Sequence, residues 1–259
     1  MPCASIHAMV LYADREGAGA PIVLLHGFTQ TRRCWGSEAT ELASDHEVIR
    51  VDAPGHGRSA DVVADLRTGG LLLGDQGGKA TYLGYSMGAR FCLDLALSAP
   101  ELVRGLVLIG GTAGIEDPVE RAERRAQDAR TAQRIEDEGL PAFLGAWLAQ
   151  PLFARLPAER SFQEERLENS VAGLQSSLTK AGTGTQEPVW HELHRLEMPV
   201  LVLAGAEDTK FAALAERMAA AIGANATLAL IPGAGHAAHL EQPDAVLTVL
   251  RPWLAAHGL

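Results

Sequence analysis

The chain reads as an α/β protein: a mostly parallel, doubly wound sheet with a helical lid inserted between two of its later strands. Three observations lead there. Short, wholly apolar runs such as Pro21-Ile22-Val23-Leu24-Leu25 and Leu106-Val107-Leu108-Ile109 have the length and composition of strands buried on both faces. These runs alternate with helical-period sequence, the order that lays parallel strands beside crossover helices. From about Glu116 to Glu187 the strand signal stops altogether and then resumes. With 259 residues the chain can bury one large core and carry an inserted lobe. The expected division is a core of residues 1–115 and 188–259, with the lid at 116–187.

In order, Ile6 to Tyr12 is expected as an edge strand and Asp14 to Gly19 as the turn after it. Pro21–Leu25 ends in the sharp loop His26-Gly27-Phe28-Thr29-Gln30. Trp35 to Ala43 is a helix, His46 to Asp52 a strand, and Ala53 to Ser59 a glycine-rich turn. Asp61 to Leu73 is the next helix, a poor one because Gly69-Gly70 sits in its middle. Ala80-Thr81-Tyr82-Leu83 is a strand, and Arg90 to Leu97 repeats apolar residues at helical spacing before Pro100. The lid comprises a charged helix (Pro118 to Glu138), a segment of bulky residues (Leu140 to Phe153) and a further helix (Ser161 to Lys180). Strands return at Pro199–Gly205 and Ala226–Ile231.

The formal charge of −10 argues against nucleic acid or an anionic membrane as partner. Cys3, Cys34 and Cys92 are an odd count without framework spacing, which fits reduced thiols in a cytoplasm. The N-terminal residues lack a basic segment followed by an apolar one, and no run approaches membrane-spanning length. A cytoplasmic protein is expected; whether it is a monomer or a homo-oligomer is left open.

Gly84-Tyr85-Ser86-Met87-Gly88 carries the chemistry. A serine lifted out of a sheet at a strand-to-helix junction needs small residues two positions to either side, and G-x-S-x-G supplies them. Its hydroxyl is a weak nucleophile or base unless an imidazole takes the proton, and the imidazole needs a carboxylate to fix its tautomer. Those partners are expected on loops at strand ends after Ser86, in the order acid then base. Asp208, just past Gly205, and His236, in Pro232-Gly233-Ala234-Gly235-His236, meet the requirement; Glu207 and His239 are their rivals. The Met87 and Phe28 amides are the expected oxyanion donors. His26 is expected to hold its loop by hydrogen bonds rather than to act in chemistry. No H-E-x-x-H or paired-cysteine spacing suggests a metal.

With these residues in hand, the chain resembles the α/β-hydrolase fold family over essentially its whole length. More narrowly it resembles the 2-succinyl-6-hydroxy-2,4-cyclohexadiene-1-carboxylate synthases of menaquinone biosynthesis. That likeness rests on His26-Gly27-Phe28-Thr29 with Trp35, Gly84 to Arg90, Arg121-Ala122-Glu123-Arg124, Gly182-Thr183-Gly184-Thr185-Gln186 with Trp190, Asp208-Thr209-Lys210-Phe211, and Ala234 to Glu241. The resemblance implies a lyase that eliminates pyruvate from a small cyclohexene polycarboxylate, without metal or organic cofactor. It also implies that Arg90, Arg124 and Arg166 hold substrate carboxylates and that Tyr85 and Trp147 line the pocket. Guanidinium suits bidentate carboxylate capture, and Arg90 lies one helical turn from Ser86. Arg124 stays open between the pocket and a solvated face paired with Glu120, and Arg125 is its rival. An esterase working through an acyl-enzyme would use the same serine. Two departures stand out: Ala89 where a second glycine is common, and the unexplained Gly69-Gly70 pair.

Overall fold

Among the described residues of the computed structural model, 9–259, seven strands form one sheet in the order β1-β3-β2-β4-β5-β6-β7. The apolar runs become β2 (Ala20–Leu25), β3 (His46–Val51), β4 (Ala80–Tyr85), β5 (Val103–Ile109), β6 (Val200–Gly205) and β7 (Ala226–Ile231), all mutually parallel. One apolar cluster, centred on Val23, Tyr82, Leu106 and Val202, packs the sheet on one side. A second, centred on Leu24, Leu83, Val107 and Leu203, packs it on the other, as the alternation of side chains along buried strands requires.

The edge strand lies later than expected. β1 is Ala13–Gly17, antiparallel to β3, and takes in the first four residues of the stretch expected as a turn; of the expected strand, residues 6–8 lie outside the described residues. Its charged sequence suits an edge, where one face meets water. Arg15 and Glu16 spend their charges across the pair, on Glu47 (2.9 Å) and Arg50 (3.1 Å).

α1 (Ser37–Leu42) and α2 (Leu66–Gly77) follow. α2 starts five residues after the expected Asp61 because Asp65 is its cap, accepting from the Thr68 amide at 2.8 Å. The Gly69-Gly70 pair now has a reason. α2 packs on α3 (Met87–Ser98) so closely that a Cβ on Gly69 would stand 2.4 Å from the Phe91 ring. A Cβ on Gly70 would meet the α3 backbone at 3.2 Å. The helix propensity lost at two glycines is exchanged for backbone-to-backbone approach.

Between β5 and β6 run α4 (Pro118–Glu138), α5 (Leu140–Leu148), α6 (Gln163–Arg166) and α7 (Val171–Ala181). They share their own apolar cluster of Ile135, Phe143, Leu144 and Leu174. The helix expected from Ser161 to Lys180 is broken in two, because Ser170 caps α7 through the Gly173 amide (3.0 Å). α8 (Thr209–Ile222), α9 (Ala238–Glu241) and α10 (Pro243–His257) complete the chain. No helix among the described residues is long and apolar enough to cross a membrane.

Gly69→Ala is expected to lower stability by about 1–3 kcal/mol, the range for overpacking a closed core. Urea unfolding measures it, and an unchanged midpoint would contradict the α2–α3 approach.

Candidate active site

Ser86 stands between β4 and α3 with φ 51°, a backbone region that costs a non-glycine residue about 1–3 kcal/mol. The surroundings leave it no alternative. A Cβ on Gly88 would stand 1.9 Å from the Leu25 carbonyl oxygen, and one on Gly84 would stand 2.4 Å from Gly88. The Ser86 amide is tied to the Ile109 carbonyl at 2.8 Å. The turn therefore presses against β2 and β5, and the hydroxyl is pushed out over the strand ends.

Asp208 and His236 converge on it from the loops after β6 and β7. His236 Nε2 lies 3.0 Å from Ser86 Oγ, and His236 Nδ1 lies 3.0 Å from Asp208 Oδ2. Asp208 also caps α8, accepting from the Phe211 amide at 3.2 Å. Burial alone would raise its pKa, but the His236 and Phe211 hydrogen bonds outweigh that and hold the carboxyl below its usual range. It is therefore ionised at neutral pH, which sets Nδ1 as the protonated ring nitrogen and leaves Nε2 free to accept from serine. The two loops meet at Gly205, where a Cβ would stand 2.0 Å from the Gly235 carbonyl oxygen.

His236 is held from behind by Glu241. Its buried carboxylate accepts from the backbone N–H of Gly235 and, at 2.9 Å, of Ala237, the residues on either side of the histidine. The rival His239 is buried with both ring nitrogens unpartnered among the described residues, packed on Tyr85 (4.4 Å) and Trp35 (5.0 Å). Glu207 turns outward to Arg155 at 3.2 Å.

The loop after β2 carries Phe28. Among the described residues neither its amide nor that of Met87, the first residue of α3, donates to another group of the chain. His26 Nε2 accepts from the Ala53 amide (3.1 Å), so Nδ1 is protonated and donates to the Gly27 carbonyl (2.8 Å). Thr29, β-branched yet at φ 67°, is fixed from three sides. His56 Nε2 accepts its amide, Asn169 Nδ2 donates to its carbonyl at 2.8 Å, and Arg166 donates to its hydroxyl.

A cavity of about 670 Å³ opens over Ser86 and His236 at the carboxyl ends of the strands. Phe28, Met87, Arg90, Arg124 and Trp147 line it. Arg90 is buried and donates to the Ala181 carbonyl at 2.8 Å; it has no ion-pair partner among the described residues. Burial, helped by the Arg124 charge, pulls its pKa down to about 10, so it stays cationic at neutral pH. Arg124 pairs with Asp128 one turn ahead (2.8 Å) rather than with Glu120, and its rival Arg125 reaches the Gly184 carbonyl instead.

Two expected pocket residues lie elsewhere. Arg166 is buried beneath the Phe28 loop, where Ser161 and Thr29 take its hydrogens, and Tyr85 packs its ring under Gly27. Neither lines the cavity, because the hydrogen bonds of Arg166 and the packing of Tyr85 hold both beneath the loop after β2. Among the described residues no cluster of three or more His, Cys, Asp or Glu has metal-binding geometry.

The model of the alpha/beta hydrolase family matches residues 22–249. The chain belongs to this family. Within it, the chain is 34% identical to the 2-succinyl-6-hydroxy-2,4-cyclohexadiene-1-carboxylate synthase of Salmonella agona, over 93% of this chain and 98% of the relative. It is 33% identical to the enzyme of the same name from Klebsiella pneumoniae, over 96% and 100%. Among solved structures, MenH from S. aureus superposes with a TM-score of 0.88 at 28% identity, over 96% of this chain and 99% of that one. A thermophilic esterase from Thermogutta terrifontis with malate bound superposes with a TM-score of 0.82 at 26% identity, over 95% and 93%.

For this alpha/beta hydrolase, sequence reasoning gave no role to Glu241 or Asn169. Glu241 lay inside a quoted motif, but a surface helix position explains a glutamate equally well; Asn169 ties α6 to the Gly57 amide and the Thr29 carbonyl across more than a hundred residues. Glu241→Gln keeps one acceptor and loses the other, so kcat is expected to fall about 10²-fold with KM little changed. Steady-state kinetics on the folded variant reads this; an unaltered kcat would contradict the clamp.

Burial also lowers the pKa of His26 to about 4 and of His56 and His239 to about 3, all from 6.5. Below about pH 6.5 the unfolded chain protonates these rings and the folded chain does not, so each weakens the fold as pH falls. Glu38, pushed up by burial to about 7, opposes them down to 4.5. Three against one leaves a net loss on acidification of up to about 3 kcal/mol per pH unit. Urea unfolding is expected to show lower stability at about pH 5.5 than at pH 7; equal stability would contradict neutral burial of the rings.

Proposed function

We propose that the chain is a carbon–oxygen lyase of menaquinone biosynthesis. It eliminates pyruvate from 2-succinyl-5-enolpyruvyl-6-hydroxy-3-cyclohexene-1-carboxylate and leaves 2-succinyl-6-hydroxy-2,4-cyclohexadiene-1-carboxylate. The observation that carries this reading is Arg90, a buried guanidinium without an acid partner, in the same cavity as Ser86 and His236. A cation taken out of water calls for an anion, and a polycarboxylate supplies it. The names of the two bacterial relatives support the same chemistry.

In the proposed mechanism His236 Nε2 takes the Ser86 proton, and Asp208 holds the imidazole and stabilises its cationic form. The serine oxygen then removes the ring proton next to the succinyl carbonyl. Electrons from that C–H bond move onto the carbonyl oxygen, where the Phe28 and Met87 N–H groups donate to the developing enolate. Collapse of the enolate forms the diene and breaks the C–O bond to the enolpyruvyl group, which takes up a proton and leaves as pyruvate. Arg90 and Arg124 hold substrate carboxylates, and the unpartnered buried Trp147 Nε1 supplies a further donor on the cavity wall. Arg166 and Tyr85 support the wall from behind. Helices α4–α7 act as the lid, and the reaction runs in the cytoplasm, where the buried free thiols of Cys34 and Cys92 stay reduced.

The likeness to the Thermogutta esterase favours a second reading, ester hydrolysis through an acyl-Ser86 intermediate. Arg90→Ala separates the two. Losing one charge-assisted contact is expected to cut kcat/KM for pyruvate release by about 10–10²-fold while leaving any cleavage of a neutral ester intact. Ester cleavage by the wild type without pyruvate release would establish the hydrolase instead.

A further inference from the structure

Arg90 and Arg124 are not the only cations facing the cavity. Lys210, Leu214 and Arg217, at i, i+4 and i+7, bring one face of α8 to its wall, while Ala212, Ala215, Met218 and Ile222 are buried on the other. Arg217 is already engaged, paired with Glu116 at 2.6 Å and lying over the Trp190 ring at 3.8 Å. Lys210 has no ion-pair partner among the described residues. It also sits in the first turn of α8, where the helix dipole disfavours a cation and where the acid that offsets it, the capping Asp208, already accepts hydrogen bonds from Phe211 and His236. Its neighbour Phe211 packs against the His236 ring at 4.3 Å, so this cation stands one residue from the relay.

We propose that Lys210, backed by Arg217, forms a second carboxylate subsite that holds the departing pyruvyl group. The inference rests on the lyase reading and deepens it. These cations differ in access: Arg90 is buried, whereas Lys210 and Arg217 are exposed. A group that must leave for solvent in every turnover is served by the exposed cation, and the ring that stays until the diene is complete is served by the buried one. An exposed ammonium also releases its partner readily, because water competes for both ions.

The test is pyruvate binding and product inhibition in the wild type, Lys210→Gln and Lys210→Arg. Titration with pyruvate alone, followed by ligand-observed NMR, reads the subsite without turnover. Lys210→Gln is expected to weaken pyruvate binding and inhibition about tenfold, the loss of one charge-assisted contact. Binding of the diene product is expected to change less than twofold, and Lys210→Arg is expected to restore pyruvate binding. Equal weakening of pyruvate and diene would overturn the assignment. So would unchanged pyruvate binding with a shifted pH profile of kcat, which would mean that Lys210 acts only through the charge of Asp208. If the wild type releases no pyruvate from the enolpyruvyl precursor yet binds it through Lys210, the subsite stands and the lyase reading falls.

Discussion

The hydrogen bond from Ser86 to His236 is the contact on which the rest of the molecule depends, and it exists only because backbone is allowed to touch backbone around it. Gly88 against the Leu25 carbonyl and Gly205 against the Gly235 carbonyl are both closer than any side chain permits. The first approach lifts the serine out of the sheet; the second brings the Asp208 loop and the His236 loop to a common point. Glu241 then fixes the histidine backbone from the far side, so that the imidazole is positioned before anything binds. Preorganisation of this kind is what makes a proton relay useful, since the groups need no rearrangement at the moment of transfer.

Electrostatics divides the site into two shells. Close to the relay, the rings of His26, His56 and His239 are buried and neutral and serve as hydrogen-bonding or packing elements, so His236 is the histidine in contact with Ser86. Around the cavity charged groups of both signs stand side by side. Among the described residues Arg90 and Lys210 form no ion pair, while Arg124 and Arg217 are paired with Asp128 and Glu116. In an acidic protein the cations Arg90, Arg124, Lys210 and Arg217 thus gather in the cavity that holds Ser86, interleaved there with Glu116, Asp117, Glu120 and Asp128.

Most of the architecture was legible because buried parallel strands are apolar throughout and the G-x-S-x-G turn has one geometric solution. Asp208 and His236 were legible from their order and loop positions, and the structure sets both within hydrogen-bonding distance of their partners. What the sequence hid was long-range. Nothing local shows that Gly69-Gly70 answers to Phe91, that Asn169 reaches Thr29, or that Arg166 turns beneath a loop instead of into the cavity. The edge strand was misplaced because Asp14-Arg15-Glu16-Gly17 has turn composition; its pairing with β3 depends on cross-strand charges a single strand cannot reveal.

The most direct test of the central claim is to incubate the purified protein with the enolpyruvyl precursor and follow pyruvate and the conjugated diene together. The account predicts that both appear in equal amounts and that neither appears with Ser86→Ala. Absence of both from the wild type, alongside Ser86-dependent cleavage of simple esters, would contradict it.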